Sequence, residues 1–101
     1  MEQRARNVVG RIIRRIRTAK DLSQQRLAVE CARLGYDLTR ATLAKIEAEV
    51  RAVSDIELFV IAHALRVPIP ELYPRQFLER IRAGKVIPFH VRKVTRKTKV
   101  D

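Results

Sequence analysis

Between positions 40 and 47 the chain reads RATLAKIE. Arg40 and Lys45 carry long hydrogen-bond donors, while Ala41, Thr42 and Ala44 are small enough to let a helix approach another surface closely. That mixture suits reading the edges of bases, and an arginine fork on guanine is worth ~1–3 kcal/mol of discrimination. Material for catalysis is scarcer. Ser23 and Ser54 stand where helix N-caps are expected, and no histidine is paired with either by local spacing, so a nucleophilic site has no support. Cys31 falls on the apolar side of a helix, where a packed thiol is expected. With His63 and the distant His90 it makes no zinc-ligand set. No glycine-rich phosphate loop occurs. The residues therefore point to a binding protein that is not an enzyme and takes no metal or cofactor.

The charge balance names the partner class. Among 101 residues, 22 are Lys or Arg and 11 are Asp or Glu, a net charge of +11. Residues 1–20 carry +6, residues 21–74 carry −2 and residues 75–101 carry +7. A near-neutral body between basic ends is expected to seek a polyanion, by contact with phosphates. The length fits one domain with a modest core, and 47% apolar residues are enough to fold most of it. The longest apolar run, Leu58 to Ala62, is too short for a bilayer. With no signal pattern and a single cysteine, a soluble cytoplasmic protein is expected.

The elements that must position these side chains are helices. Val9, Ile12, Ile13 and Ile16 recur at helical spacing over residues 7–20, with Arg11, Arg14 and Arg15 on the other faces and available to phosphates. Ser23 caps a second helix, stapled by Leu22 and Leu27, with Leu27, Cys31 and Leu34 on its apolar side and Gly35 as its stop. Thr39 caps a third, stapled by Leu38 and Leu43, with Leu43, Ile46 and Val50 on one side. Ser54 and Glu57 form a capping box for a fourth, stapled by Val53 and Leu58, whose interior is expected to be Ile56, Phe59, Val60, Ala62 and Leu65. Pro68 and Pro70 break the chain before a short helix over 70–73. Beyond Pro74 the spacing predicts a helix over 75–83, an extended stretch over 86–91 and a basic tail. A lone extended segment needs a partner, so Ile87, Phe89 and Val91 are candidates for dimerisation.

Two short capped helices joined by a glycine-containing turn have the general form of a helix-turn-helix. The stretches IRRIRTAKDLSQQRLA, LTRATLAKIEAEVR and SDIELFVIAHALRVPIPELY together resemble the lambda-repressor/Cro-type (XRE-type) helix-turn-helix family. The resemblance implies an all-α, compact five-helix DNA-binding domain over 1–74, with residues 75–101 as a basic C-terminal extension. It implies that a recognition helix at about 39–49 enters the major groove. By the same resemblance Arg40, Ala41 and Lys45 touch bases, Thr42 lies nearer the backbone, and Ser23 with Gln24 meets a phosphate. Arg17 and Glu47 match a structural ion pair. Two departures stand out. The stretch from Ala28 to Thr39 is about five residues longer than usual, which predicts a wider turn. Glu49 replaces a frequent glycine, which predicts a third helix continuing past it.

The reading is a prokaryotic or phage transcriptional regulator, a repressor that binds double-stranded DNA as a homodimer, one helix per half-site. Its rivals are an antitoxin-like protein that also neutralises a toxin-like partner through the segment after Pro74, and a non-specific DNA-coating protein acting by charge alone. No membrane partner is expected.

Overall fold

Ser23, Thr39 and Ser54 each open a helix in the computed structural model, which describes residues 4–85. Each side-chain oxygen accepts the N–H three residues on, from Arg26, Thr42 and Glu57 respectively. The helices are α1 (Gly10–Ala19), α2 (Gln24–Arg33), α3 (Arg40–Glu47), α4 (Asp55–Leu65) and α5 (Arg75–Arg82). A 3-10 turn, Ile69–Leu72, stands where a short helix over 70–73 is expected, and it drives Leu72 fully into the core. The described residues are all-helical, with five α-helices and no strand. The stretch over 86–91, with Ile87, Phe89 and Val91, lies outside them.

The core is built on α2, which packs against both α3 and α4, while α1 packs against α3. Ile13, Leu27, Cys31, Leu43, Ile46, Ile61, Leu65 and Leu72 are its largest fully buried members. Burial pushes the Cys31 thiol up to about 11, with Glu30 adding to the effect, so it packs as a small apolar group.

Four apolar residues expected inside are outside. Leu34 is 52% exposed because α2 ends at Arg33 and Gly35 turns the chain away. Ile56 and Phe59 are 57% and 52% exposed. They share a stripe of α4 with His63, opposite the arc of Ile61 and Leu65 that meets the core.

Val50 is exposed for a different reason: α3 does not continue past Glu49. Glu49 takes the left-handed conformation (φ +64°), Val50 N–H reaches back to Lys45 O, and Glu49 N–H reaches Ile46 O. This is a Schellman ending made without glycine. A left-handed non-glycine residue costs ~1–2 kcal/mol. The cost is offset across the fold, since Glu49 Oε2 accepts the Arg11 N–H at 3.3 Å and puts an anion at the positive end of α1.

Candidate nucleic-acid interface

The sequence of α3 divides its circumference. Leu43, Ile46 and Glu47 are buried, Thr42 and Ala44 are half-buried, and Arg40, Ala41 and Lys45 are exposed. The Arg40 and Lys45 side chains make no hydrogen bond or ion pair among the described residues. Thr39 Oγ1, besides accepting the Thr42 N–H, donates to Thr42 Oγ1 at 3.0 Å. That leaves the Thr42 O–H free to donate outward.

Glu47, at the C-terminal end of α3, is the fixed point. Arg17 Nε donates to its Oε2 at 2.7 Å and Arg17 Nη2 to its Oε1 at 3.0 Å. Gln24 Nε2 donates to the same Oε1 at 3.0 Å. Arg17 Nη1 donates to Leu22 O at 2.6 Å. The side chains of Arg17 and Glu47 are 10% and 3% exposed, so the pair is almost fully desolvated. One carboxylate thus joins α1, α2 and α3. Gln24, which the resemblance puts against a phosphate, has committed one N–H of its amide here and retains the other. Ser23, its neighbour, is exposed at the head of α2, where first-turn amides have no intrahelical acceptor.

The arginines of α1 divide. Arg14 is exposed. Arg11 and Arg15 line a shallow groove with Gln76 and Phe77, beside α5. Arg11 also lies 3.8 Å from Glu49 and keeps 79% of its side chain in solvent.

Several residues that hold α3 carry no motif. Asn7 Nδ2 donates to Ile46 O at 3.0 Å and to Arg51 O at 2.9 Å, while its Oδ1 accepts the N–H groups of Val9 and Gly10. One side chain therefore starts α1 and clasps the far end of α3. Gly10 lies directly under the carbonyls of Ile46 and Glu47, where no Cβ fits. Glu57 is 5% exposed. Beyond closing the capping box onto Ser54 N–H, it accepts two bonds from Arg51, at 2.9 and 3.0 Å, and one from Tyr36 Oη at 3.3 Å. Chiefly through the Arg51 bonds, its carboxyl is held down at about 2. The capping box was visible in sequence. The contacts of Asn7 with Ile46 and Arg51, of Gly10 with α3 and of Tyr36 with Glu57 span too many positions to show as local patterns.

Among the described residues no group of three or more His, Cys, Asp or Glu side chains could hold a metal ion. Nor is any helix among them long and apolar enough to cross a membrane.

The family profile described as helix-turn-helix matches residues 13–72, from within α1 through the 3-10 turn. No curated protein matches the chain. Among solved structures, the restriction-modification controller protein C.AhdI from Aeromonas hydrophila is similar. It shares 34% identity over 64% of this chain and 87% of its own, with a TM-score of 0.58.

Proposed function

The chain belongs to the lambda-repressor/Cro-type helix-turn-helix family, and we propose that it is a sequence-specific double-stranded DNA-binding repressor that lays α3 in the major groove. The observation that carries this is the division of α3. The edge bearing Arg40, Ala41 and Lys45 is exposed, while Leu43 and Ile46 are buried on the opposite side and Glu47 ties the C-terminal end of the helix to α1 and α2. A rod held firmly on one side and bare on the other is suited to deliver side chains into a groove. Arg40 and Lys45 choose bases, and Ala41 permits close approach. Ser23, Gln24 and Thr42 meet the backbone beside them, and Arg14, with Arg11 and Arg15 further toward α5, adds charge. The protein acts by binding, without catalysis. The likeness to a restriction-modification controller makes such a gene set the first place to seek its operator.

Two copies on a near-palindromic site need a shared face. Ile56 and Phe59 on α4 supply an exposed apolar stripe for it among the described residues. A protein partner of the antitoxin kind is the second reading. It is favoured by α5, which follows Pro74 with no buried residue and leaves Leu78 and Ile81 37% and 58% exposed.

The deciding experiment selects random duplex fragments with the purified protein and then compares the enriched site with a scrambled one. Arg40→Ala is expected to reduce the preference by ~1–3 kcal/mol, while non-specific, salt-sensitive binding survives. Equal weakening on both sequences would leave only the charge-driven, DNA-coating mode. Co-elution with a small protein would favour the antitoxin reading.

A further inference from the structure

The segment carrying the recognition edge is tied at both flanks to one buried carboxylate. Tyr36 precedes α3, in the turn between α2 and α3, and its phenol donates to Glu57 Oε2 at 3.3 Å. Arg51 follows α3, and its guanidinium donates to both Glu57 oxygens. Glu57 itself is the third residue of α4 and also accepts the Ser54 N–H. The capping box accounts for one of the four bonds that Glu57 accepts and for its place at the helix end. It does not require Tyr36 or Arg51. What the other three bonds add is a chain of contacts from the start of the α3 segment, through one anion, to its end.

Geometry gives these bonds a directional role. Between Tyr36 and α3 only Leu38 is buried, and the intervening turn lies within the stretch from Ala28 to Thr39 that, by the family resemblance, is longer than usual. A longer turn gives the start of α3 more freedom, because apolar contact at Leu38 and Leu43 is non-directional. A hydrogen bond to a carboxylate has a preferred direction; the two Arg51 bonds, at 2.9 and 3.0 Å, are of the stronger charge-assisted kind, and the Tyr36 bond, at 3.3 Å, is longer and weaker. We propose that Tyr36 and Arg51, through Glu57, are positioning residues for DNA specificity: together they set the tilt at which α3 presents Arg40 and Lys45. The inference rests on the DNA-binding reading for its consequence, but its structural half is independent of DNA.

The test uses the full chain with Tyr36→Phe, which removes one hydroxyl and keeps the ring, and Arg51→Met as a stronger second variant. Residual dipolar couplings report the orientation of α3 against α4, and competition binding reports preference for the selected site over a scrambled one, well below the melting temperature. Tyr36→Phe is expected to keep its helicity, shift the α3 couplings, and lower the preference by roughly threefold or more while the salt slope of non-specific binding stays unchanged. Unchanged couplings and preference in a folded Tyr36→Phe protein would overturn the proposal, whether or not Arg51→Met folds. Shifted couplings in a protein whose wild type selects no site would instead sink the DNA-binding reading and leave the positioning role standing. Shifted couplings with an intact preference would show that tilt does not control specificity, which overturns it as well.

Discussion

Replacing Glu47 with alanine removes one carboxylate and strands three N–H donors on two side chains. Arg17 would keep only its 2.6 Å bond to Leu22 O, in a site where its side chain is 10% exposed, and Gln24 would lose its 3.0 Å acceptor. Breaking one side of a buried pair costs ~3–5 kcal/mol, because the remaining charge is neither paired nor hydrated. A domain of this size is stable by roughly 4–12 kcal/mol, so Glu47→Ala should remove a large share of that stability. With a urea slope near ~1.5 kcal/mol/M, the unfolding midpoint should fall by roughly 2–3 M. The double variant Arg17→Met/Glu47→Leu removes both charges and fills the space with apolar side chains. It should be more stable than either single change, with a coupling energy of about 2 kcal/mol or more. Denaturation at pH 7 of wild type, Arg17→Met, Glu47→Leu and the double variant measures the cycle, with Glu47→Ala measured beside them. A loss below ~1 kcal/mol for Glu47→Ala, or a double variant as unstable as the two single losses combined, would refute the reasoning.

Two further outcomes check the packing and the charge around α3. Gly10→Ala puts a methyl group against Ile46 O and within 3.0 Å of Glu47 O, both backbone atoms that cannot swing aside. It should cost about 2 kcal/mol and lower the melting temperature by roughly 8–16 °C in calorimetry; an unchanged or raised melting point would show that α1 and α3 are not in such close contact. Glu57 is held at about 2 against an ordinary 4.5, chiefly by Arg51. A lowered folded value means stability that is full above 4.5 and drains away as pH falls toward 2. Between pH 7 and pH 3 Glu57→Gln should therefore lose about 1–2 kcal/mol less than wild type, allowing for screening at the 37% exposed Arg51 side chain. An identical acid profile would contradict the network.

Local signals were legible because they act over three or four residues. Ser23, Thr39 and Ser54 are caps wherever the chain is placed, so the starts of α2, α3 and α4 could be read directly. The Arg17–Glu47 correspondence came only from family resemblance, since thirty positions separate the two. Burial is less legible. Periodicity says which residues share a stripe of α4, but not how wide the covering neighbours are, and so Ile56 and Phe59 were expected inside. The end of α3 is hidden in the sequence because glycine is the usual sign of a left-handed cap, and nothing local shows that Glu49 has an amide of α1 to recover the cost.

The polar contacts around α3 follow from its narrow apolar side. Leu43 and Ile46 are its fully buried apolar residues, and two side chains on one line hold a rod against a surface while leaving it free to roll about that line. Roll is the motion that would move Arg40 and Lys45 relative to a base edge. Directional bonds suppress it: Glu47 reaches Arg17 and Gln24 from one end, Asn7 clasps Ile46 O, and Glu57 holds Tyr36 and Arg51 on the two flanks. Buried ion pairs are weak contributors to stability compared with apolar replacements, so their concentration around this one helix fits orientation better than strength. The Arg17→Met/Glu47→Leu protein separates the two roles. If orientation is what the pair supplies, that variant recovers its melting temperature but not its preference between the selected and scrambled sites. Recovery of both would mean that apolar packing alone can aim the helix.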